Sequence, residues 1–267
     1  MPASDAVLGG TDRVERGGRN DRAKCAGFAQ NGCPECNARL CETLRTRVAP
    51  RKRSLERGER LSGHACLTLW TVLEGLVAIC TALPDGRRQI VCLSVAGDVV
   101  CPLSDVQGTE AWVEALTPSA LCELDLGPAA GPALAGDAAL GAELFRVAHG
   151  QAQSLSAHLV ALGRLDGMER VCLFLADMAW RVGRRTAGGW RVRLPLSRED
   201  IADYLGLNPE TVSRIFSRVK KAGLATFHSP TEYLVPDIKA LQGRAPLVPL
   251  SAGARAPDLM AGDLRLD

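Results

Sequence analysis

Hydrophobic positions change their period twice along this chain. Between Leu67 and Leu124 they come in short runs: Leu67 to Leu73, Leu76 to Leu83, Gln89 to Val95, Val99-Val100 and Ala120 to Leu124. The runs are separated by Glu74-Gly75, Pro84-Asp85-Gly86, Gly97-Asp98 and Gly108, residues that favour turns. Strands this short and this regularly punctuated predict a small antiparallel barrel or roll. From Leu140 the step becomes three and four: Leu140, Leu144, Val147 and Ala148, Gln151, Leu155, His158 and Leu159, Leu162 and Leu165. That spacing predicts one amphipathic helix of about seven turns, roughly 39 Å long. A single protomer has little mass left to cover such a helix, so pairing with a second copy is the preferred use. Leu144, Val147, Gln151, Leu155, His158 and Leu162 are then the expected homodimer interface. A core helix packed only on its own chain is the competing reading.

The last zone, Glu169 to Leu241, reads as helix, short strand (Trp190 to Leu194), helix, turn, helix and strand pair. Ser197 can cap a helix whose first turn carries Glu199 and Asp200, where acids favour the helix dipole. Leu205-Gly206-Leu207 breaks that helix. Asn208 caps the next one, with Pro209 at its first position, where a missing N–H costs nothing. It stops at Gly223, and Thr226 to Val235 can fold back around His228-Ser229-Pro230-Thr231. Helix, glycine turn, helix and hairpin predict a winged helix-turn-helix. The expected class is α+β, with a cupin-like antiparallel β-roll (jelly roll), a long dimerisation helix and a C-terminal winged helix-turn-helix. The expected divisions are a flexible leader (1–24), a cysteine segment (25–48), the roll (49–134), the dimerisation helix (135–166), the DNA-binding domain (167–241) and a flexible tail (242–267).

Composition narrows the class. With 267 residues, 46% hydrophobic and 23% charged, the chain can bury real cores, which excludes collagen-like, low-complexity and largely disordered readings. The first 24 residues hold no apolar segment of the secretory type. Ala65 to Leu83 is mostly apolar over 19 residues, but Glu74-Gly75 interrupts it and Pro84-Asp85-Gly86 ends it. Two buried strands therefore fit better than a membrane span, and the expected location is the cytoplasm, with no membrane partner. The net charge of +2 hides a strong division. Residues 181–221 carry ten Lys/Arg against four Asp/Glu, whereas 101–144 carry seven acids and no Lys or Arg. A basic half beside an acidic half suits a double-stranded DNA partner.

The DNA-reading chemistry falls at the start of the second helix of the motif. Glu210, Ser213 and Arg214 stand at i, i+3 and i+4 and share a face, while Val212, Ile215 and Val219 turn to the core. A carboxylate accepts from cytosine N4, and a guanidinium donates two bonds to guanine O6 and N7. These three are the candidate base contacts, and Arg218, Lys220 and Lys221 the candidate phosphate contacts. The plain alternative is an i,i+4 surface ion pair between Glu210 and Arg214 on a solvated helix face. No nucleophile–base pair or phosphate loop suggests an enzyme.

Ten cysteines remain, and four of them (Cys25, Cys33, Cys36, Cys41) fall within 17 residues. In a reducing compartment such a group binds metal more readily than it forms disulfides. Soft thiolates select an iron–sulfur cluster or zinc. Cys66, Cys80, Cys92 and Cys172 lie in apolar runs and read as core residues, Cys101 has no assignment, and none of the four histidines is grouped as a ligand. Zinc held by Cys25, Cys33, Cys36 and Cys41 is a competing reading.

Residues Leu69-Trp70-Thr71-Val72-Leu73-Glu74-Gly75-Leu76-Val77, with Pro84-Asp85-Gly86 and Val95-Ala96-Gly97-Asp98, resemble the effector-domain strands of the CRP/FNR transcription regulators. Ile201-Ala202-Asp203-Tyr204-Leu205-Gly206-Leu207, continuing to Glu210-Thr211-Val212-Ser213-Arg214, resembles that family's DNA-reading unit, and the Glu-x-x-Ser-Arg face is similar to that of FNR-type proteins reading TTGAT…ATCAA. The resemblance spans about residues 30–240 and implies a homodimer that works with RNA polymerase. The oxygen-responsive FNR branch holds a [4Fe–4S] cluster on three N-terminal cysteines and one distant one. By that resemblance Cys33, Cys36, Cys41 and Cys122 are the metal ligands, Cys122 because Ala115 to Leu124 is similar to the segment bearing the distant ligand. Only four residues separate Cys36 from Cys41, one fewer than in the best-known branch, so Cys25 is the alternative ligand. A regulator of the same fold with structural zinc or a small-ligand effector is the second reading. A cyclic nucleotide fits less well, because Cys101 to Asp105 lacks a phosphate-binding arginine.

Overall fold

The computed structural model describes residues 50–61, 68–101, 110–126, 136–247 and 249. The expected leader and cysteine segment, and nearly all of the expected tail beyond residue 247, lie outside the described residues. Eight strands form two four-stranded antiparallel sheets: β1 (Arg51–Leu55), β2 (Arg60–Leu61), β3 (Thr68–Glu74), β4 (Leu76–Ala82), β5 (Arg88–Val95), β6 (Val99–Val100), β7 (Glu110–Ala115) and β8 (Ser119–Asp125). One sheet has the order β1-β8-β3-β6, the other β2-β7-β4-β5. Leu55, Trp70, Val72, Val77, Ile79, Val100, Val113, Ala115 and Leu121 meet between them as the interior of the roll. The apolar run from Ala65 breaks at Gly75, as its sequence indicates. Gly75 has φ +88°, and a Cβ there would lie 2.3 Å from Ser119 Oγ, so only glycine lets β3 pass into β4 at this point.

Strands β1 and β2 carry no apolar run and were not expected. Both are edge strands rich in arginine, and polar side chains on an edge discourage pairing with another chain. Sheet β2-β7-β4-β5 is apolar on both faces. Val77, Ile79 and Val113 point into the roll, while Leu76, Ala78, Cys80, Ile90 and Trp112 point outward into a second core shared with the C-terminal half. This two-sided burial erases the period-two pattern, so β4 reads as a continuous apolar stretch.

Helix α1 (Ala138–Arg164) covers the outer face of the other sheet, where Leu140, Leu144 and Val147 meet Leu69, Cys122, Leu124 and Leu126. Helix α2 (Gly167–Val182) follows after Leu165-Asp166, with Asp166 and Glu169 completing a capping box. It is buried almost all round because it forms the centre of the C-terminal half: Val171, Cys172, Phe174, Leu175, Met178 and Ala179 all sit in the shared core. Strands β9 (Arg184–Thr186) and β10 (Gly189–Arg193), helices α3 (Arg198–Leu205) and α4 (Pro209–Lys221), strands β11 (Thr226–Ser229) and β12 (Glu232–Val235) and helix α5 (Ile238–Gln242) complete it. The third sheet has the order β11-β12-β10-β9. Among the described residues no helix is long and apolar enough to cross a membrane.

The roll interior is the most sensitive place to remove volume. Leu121→Ala, at a fully buried site, should cost about 2–5 kcal/mol, whereas exposed Lys52→Ala on edge strand β1 should stay within about 0.5 kcal/mol. Urea denaturation of the two variants beside the parent chain checks this; equal losses would show that the roll does not close around Leu121.

Candidate nucleic-acid interface and sensory cysteines

Local chemistry places α3 and α4. Ser197 Oγ accepts from the Asp200 N–H (3.0 Å), and the Asp200 carboxylate accepts from the Ser197 N–H (3.2 Å), a complete capping box. Helix α3 ends at Gly206, whose left-handed backbone (φ 60°, ψ 42°) turns the chain sharply. Asn208 Oδ1 then accepts from the Thr211 N–H (2.8 Å) and starts α4 with Pro209 in its first turn. Val212, Ile215, Phe216 and Val219 bury one face of α4. Phe216 stacks on Phe227 of β11, and the Arg198 guanidinium covers its other side at 4.3 Å.

The opposite face is free. Glu210, Ser213, Arg214, Arg218, Lys220 and Lys221 are all exposed. Arg214 donates to Thr211 Oγ1 (3.0 Å) and makes no ion pair with Glu210 among the described residues, so the surface-pair alternative is not formed. Three cations in the last turn of α4 suit its negative end, and Glu210 suits its positive one. The hairpin β11–β12 supplies the wing, with His228, Ser229 and Pro230 exposed at its tip. Exposed Arg184 and Arg185 on β9 extend the basic surface, a strand for which the sequence holds no apolar signal.

The cysteines separate by environment. Cys80 and Cys172 are buried, and burial pushes their thiols up to about 12 and about 11, so they pack as neutral core groups. Burial also raises the thiols of Cys92 and Cys101. Cys66, like Cys25, Cys33, Cys36 and Cys41, lies outside the described residues. Cys122 is buried on β8 beneath α1, among Leu69, Leu124, Leu126 and Leu140, and Cys101 packs against the same group. Gln151 of α1 grips the Cys101 peptide, accepting from its N–H (3.0 Å) and donating to its carbonyl (2.8 Å). Among the described residues no three His, Cys, Asp or Glu side chains converge as a metal site.

The stripe expected at the dimer interface turns inward. Leu144 and Val147 pack on the roll, Gln151 holds Cys101, His158 stacks on Tyr204 at 4.3 Å, and Leu162 lies over Gly206. Leu155 is half-buried. Two members of the periodic stripe, Ala148 and Leu159, are instead exposed, and a period cannot tell a partner copy from the chain's own roll. The outward face carries Phe145 and Leu159, each 71% exposed, with Ala148 and Ala152 exposed between them.

A β-roll joined through a long helix to an exposed-face winged helix-turn-helix defines a DNA-binding transcription regulator. Residues 169–244 match the Crp-like helix-turn-helix domain. A nitrogen fixation regulation protein, FixK, of Azorhizobium caulinodans is 33% identical over 175 residues, covering 65% of this chain and 70% of that protein. The fumarate nitrate reduction regulatory protein of Klebsiella oxytoca is 27% identical over 183 residues, 66% of this chain and 72% of that one. The structure of FixK2 from Bradyrhizobium japonicum superposes with a TM-score of 0.64 at 28% identity, covering 74% of this chain and 98% of that one. The chain belongs to the CRP/FNR family of transcription regulators, and the relatives it matches are regulators rather than enzymes.

Proposed function

We propose that the protein is a cytoplasmic homodimer that reads an FNR-like palindrome and whose DNA affinity follows an oxygen- or redox-labile [4Fe–4S] cluster. The exposed Glu210/Ser213/Arg214 face of α4 is the observation that carries the DNA reading. Glu210 accepts from a cytosine N4 amine, Arg214 donates to guanine O6 and N7, and Ser213 is the third base contact on the same face. Arg218, Lys220 and Lys221 meet phosphates, which position the helix without selecting sequence. RNA polymerase is the partner that a regulator bound beside a promoter would contact.

The pairing surface of this reading is Phe145, Ala148, Ala152 and Leu159. Their steps of three, four and seven form a narrow apolar seam, the kind that joins two helices of different copies. Cys122, buried on β8 under α1, takes the distant-ligand role by the likeness of Ala115 to Leu124 to the segment that bears that ligand in the FNR branch. Cys33, Cys36 and Cys41, with Cys25 as alternative, would supply the remaining thiolates. When bound, the cluster would supply redox lability and would tie the N-terminal segment to the sheet under α1.

A second reading, a small-ligand effector, draws on one observation. A cavity of about 840 Å³ opens between β5, α1, α2 and α3, with Cys92, Val147, His158, Phe174 and Tyr204 in its wall. That is within the range of pockets that hold small molecules. Structural zinc remains the third arrangement for the N-terminal cysteines.

Protein purified without oxygen should be brown, contain iron and sulfide, and bleach in air; Cys122→Ala should carry little of either. Colourless protein with stoichiometric zinc, or with no metal, would sink the cluster. In binding assays Glu210→Ala should relax base choice at one position by about 1–3 kcal/mol of discrimination, while Lys221→Ala weakens all sequences alike. Uniform loss in both variants would refute direct readout by Glu210. Sedimentation should find the parent chain dimeric and Phe145→Asp/Leu159→Asp monomeric; an unchanged dimer would move the interface elsewhere.

A further inference from the structure

Arginines cross between the two halves of the molecule in both directions. Arg88, at the start of β5 in the roll, donates through Nε to Asp203 (2.7 Å) and through Nη2 to Asp200 (2.6 Å), both on α3. Its Nη1 donates to Glu114 of β7 (2.9 Å), which also holds Arg60 (3.2 Å) and the Trp112 indole (2.7 Å). Gln89 beside it donates to the carbonyls of Asp203 and Tyr204. In return Arg181, near the end of α2, donates to the Leu93 carbonyl (2.7 Å) and to the Asp98 carboxylate, which closes the β5–β6 turn through the Val95 N–H (2.8 Å). The two arginines therefore hold opposite ends of β5, roughly 16–23 Å apart at ~3.3 Å per residue.

The groups are well matched. Asp200 is 6% exposed and has three partners: it caps α3 through Ser197, accepts from Arg88 and pairs with Arg57 (3.5 Å). Burial alone would raise its carboxyl, yet the bonds from Arg88 and Ser197 outweigh that and hold it below the ordinary range. Burial likewise opposes the charge on Arg88, and its carboxylate partners reverse the balance, so the guanidinium is held above its ordinary value. Both groups stay charged at neutral pH.

Apolar packing between the halves is broad, and charge-assisted hydrogen bonds add directional constraints to it. Two such contacts at the ends of one strand set an orientation. Helix α3 carries α4 with it through their shared core, and α1 is anchored to the roll through Leu140, Leu144 and Val147. The clamp thus sets the angle between the DNA-reading helix and the helix that pairs two copies. Building on the dimer proposed above, we infer that Arg88 and Arg181 are specificity-determining residues that set the spacing and rotational phase of the two half-sites.

Each base pair added between half-sites turns the second one by about 34° around the duplex, so a rigid dimer must reject wrong spacers. The test uses the full chain and duplexes bearing paired TTGAT half-sites at the preferred spacer and at one and two base pairs either side, plus a single half-site duplex. The parent should discriminate by about tenfold or more against two-base-pair changes, since forcing DNA to fit costs free energy. Arg88→Ala/Arg181→Ala should discriminate by about threefold or less while binding the single half-site within about twofold of the parent. Should that variant fail to fold, Asp203→Asn decides, because it leaves Arg88 paired with Asp200 and Glu114; it should show intermediate spacer preference with a melting temperature near the parent's. Spacer preference unchanged in a folded variant, or half-site and palindrome affinities falling in parallel, overturns the inference. A parent that binds none of the duplexes overturns the proposed DNA reading and this inference with it.

Discussion

A sheet that is apolar on both faces must be covered twice, and sheet β2-β7-β4-β5 imposes that demand on the rest of the molecule. Its inner face is met by the opposing sheet of the roll, and its outer face by the C-terminal half. The consequence is a core that runs without interruption from Leu76 and Ile90 to Val192 and Val219. The roll and the helix-turn-helix half are joined by the same kind of packing that holds either one together, so a change in the roll has a direct mechanical route to α3 and α4. Polar contacts cross this interface at the two ends of β5, through Arg88 and Arg181.

Helix α1 has two jobs on two faces. Its inner stripe is consumed by its own chain, from Leu140 on the roll to His158 against Tyr204. His158 is kept neutral chiefly by burial, which suits an imidazole stacked on a phenol ring. The outer stripe, with Phe145 stacked beside His149, remains open along the same length. One helix therefore contacts the sheet bearing Cys122, the first helix of the DNA-reading motif and the surrounding water. Gln151 adds a direct link from α1 to the Cys101 peptide, on the side of the roll where Cys122 lies.

The DNA-reading motif depends on few residues. Ser197, Gly206 and Asn208 each solve a backbone problem where they stand: an orphan N–H, a left-handed turn, a second orphan N–H. Because these solutions are local, they were legible in the sequence down to the residue. The burial of Val212, Ile215 and Val219 and the exposure of Glu210, Ser213 and Arg214 followed from the helical period alone. Strands β1, β2 and β9 were invisible for the converse reason. Their residues are polar, and their extended form comes from partners far away in the chain, such as Glu123 opposite Arg51.

What the sequence by itself determined, then, were features governed by neighbours a few residues apart: the turns after β3, β4 and β5, the Ser197 and Asn208 caps, the helix periods, and the division of charge between the two halves. Tertiary structure alone decided which face of α1 belongs to the protomer, that the outer face of β4 and β5 is a domain interface, and that Arg88 meets Asp200 and Asp203 over more than a hundred residues. The physical reason is range. Capping and periodicity act within one turn of helix or one strand, whereas an apolar stripe or a buried arginine is neutral about its partner until the chain has folded and brought one to it.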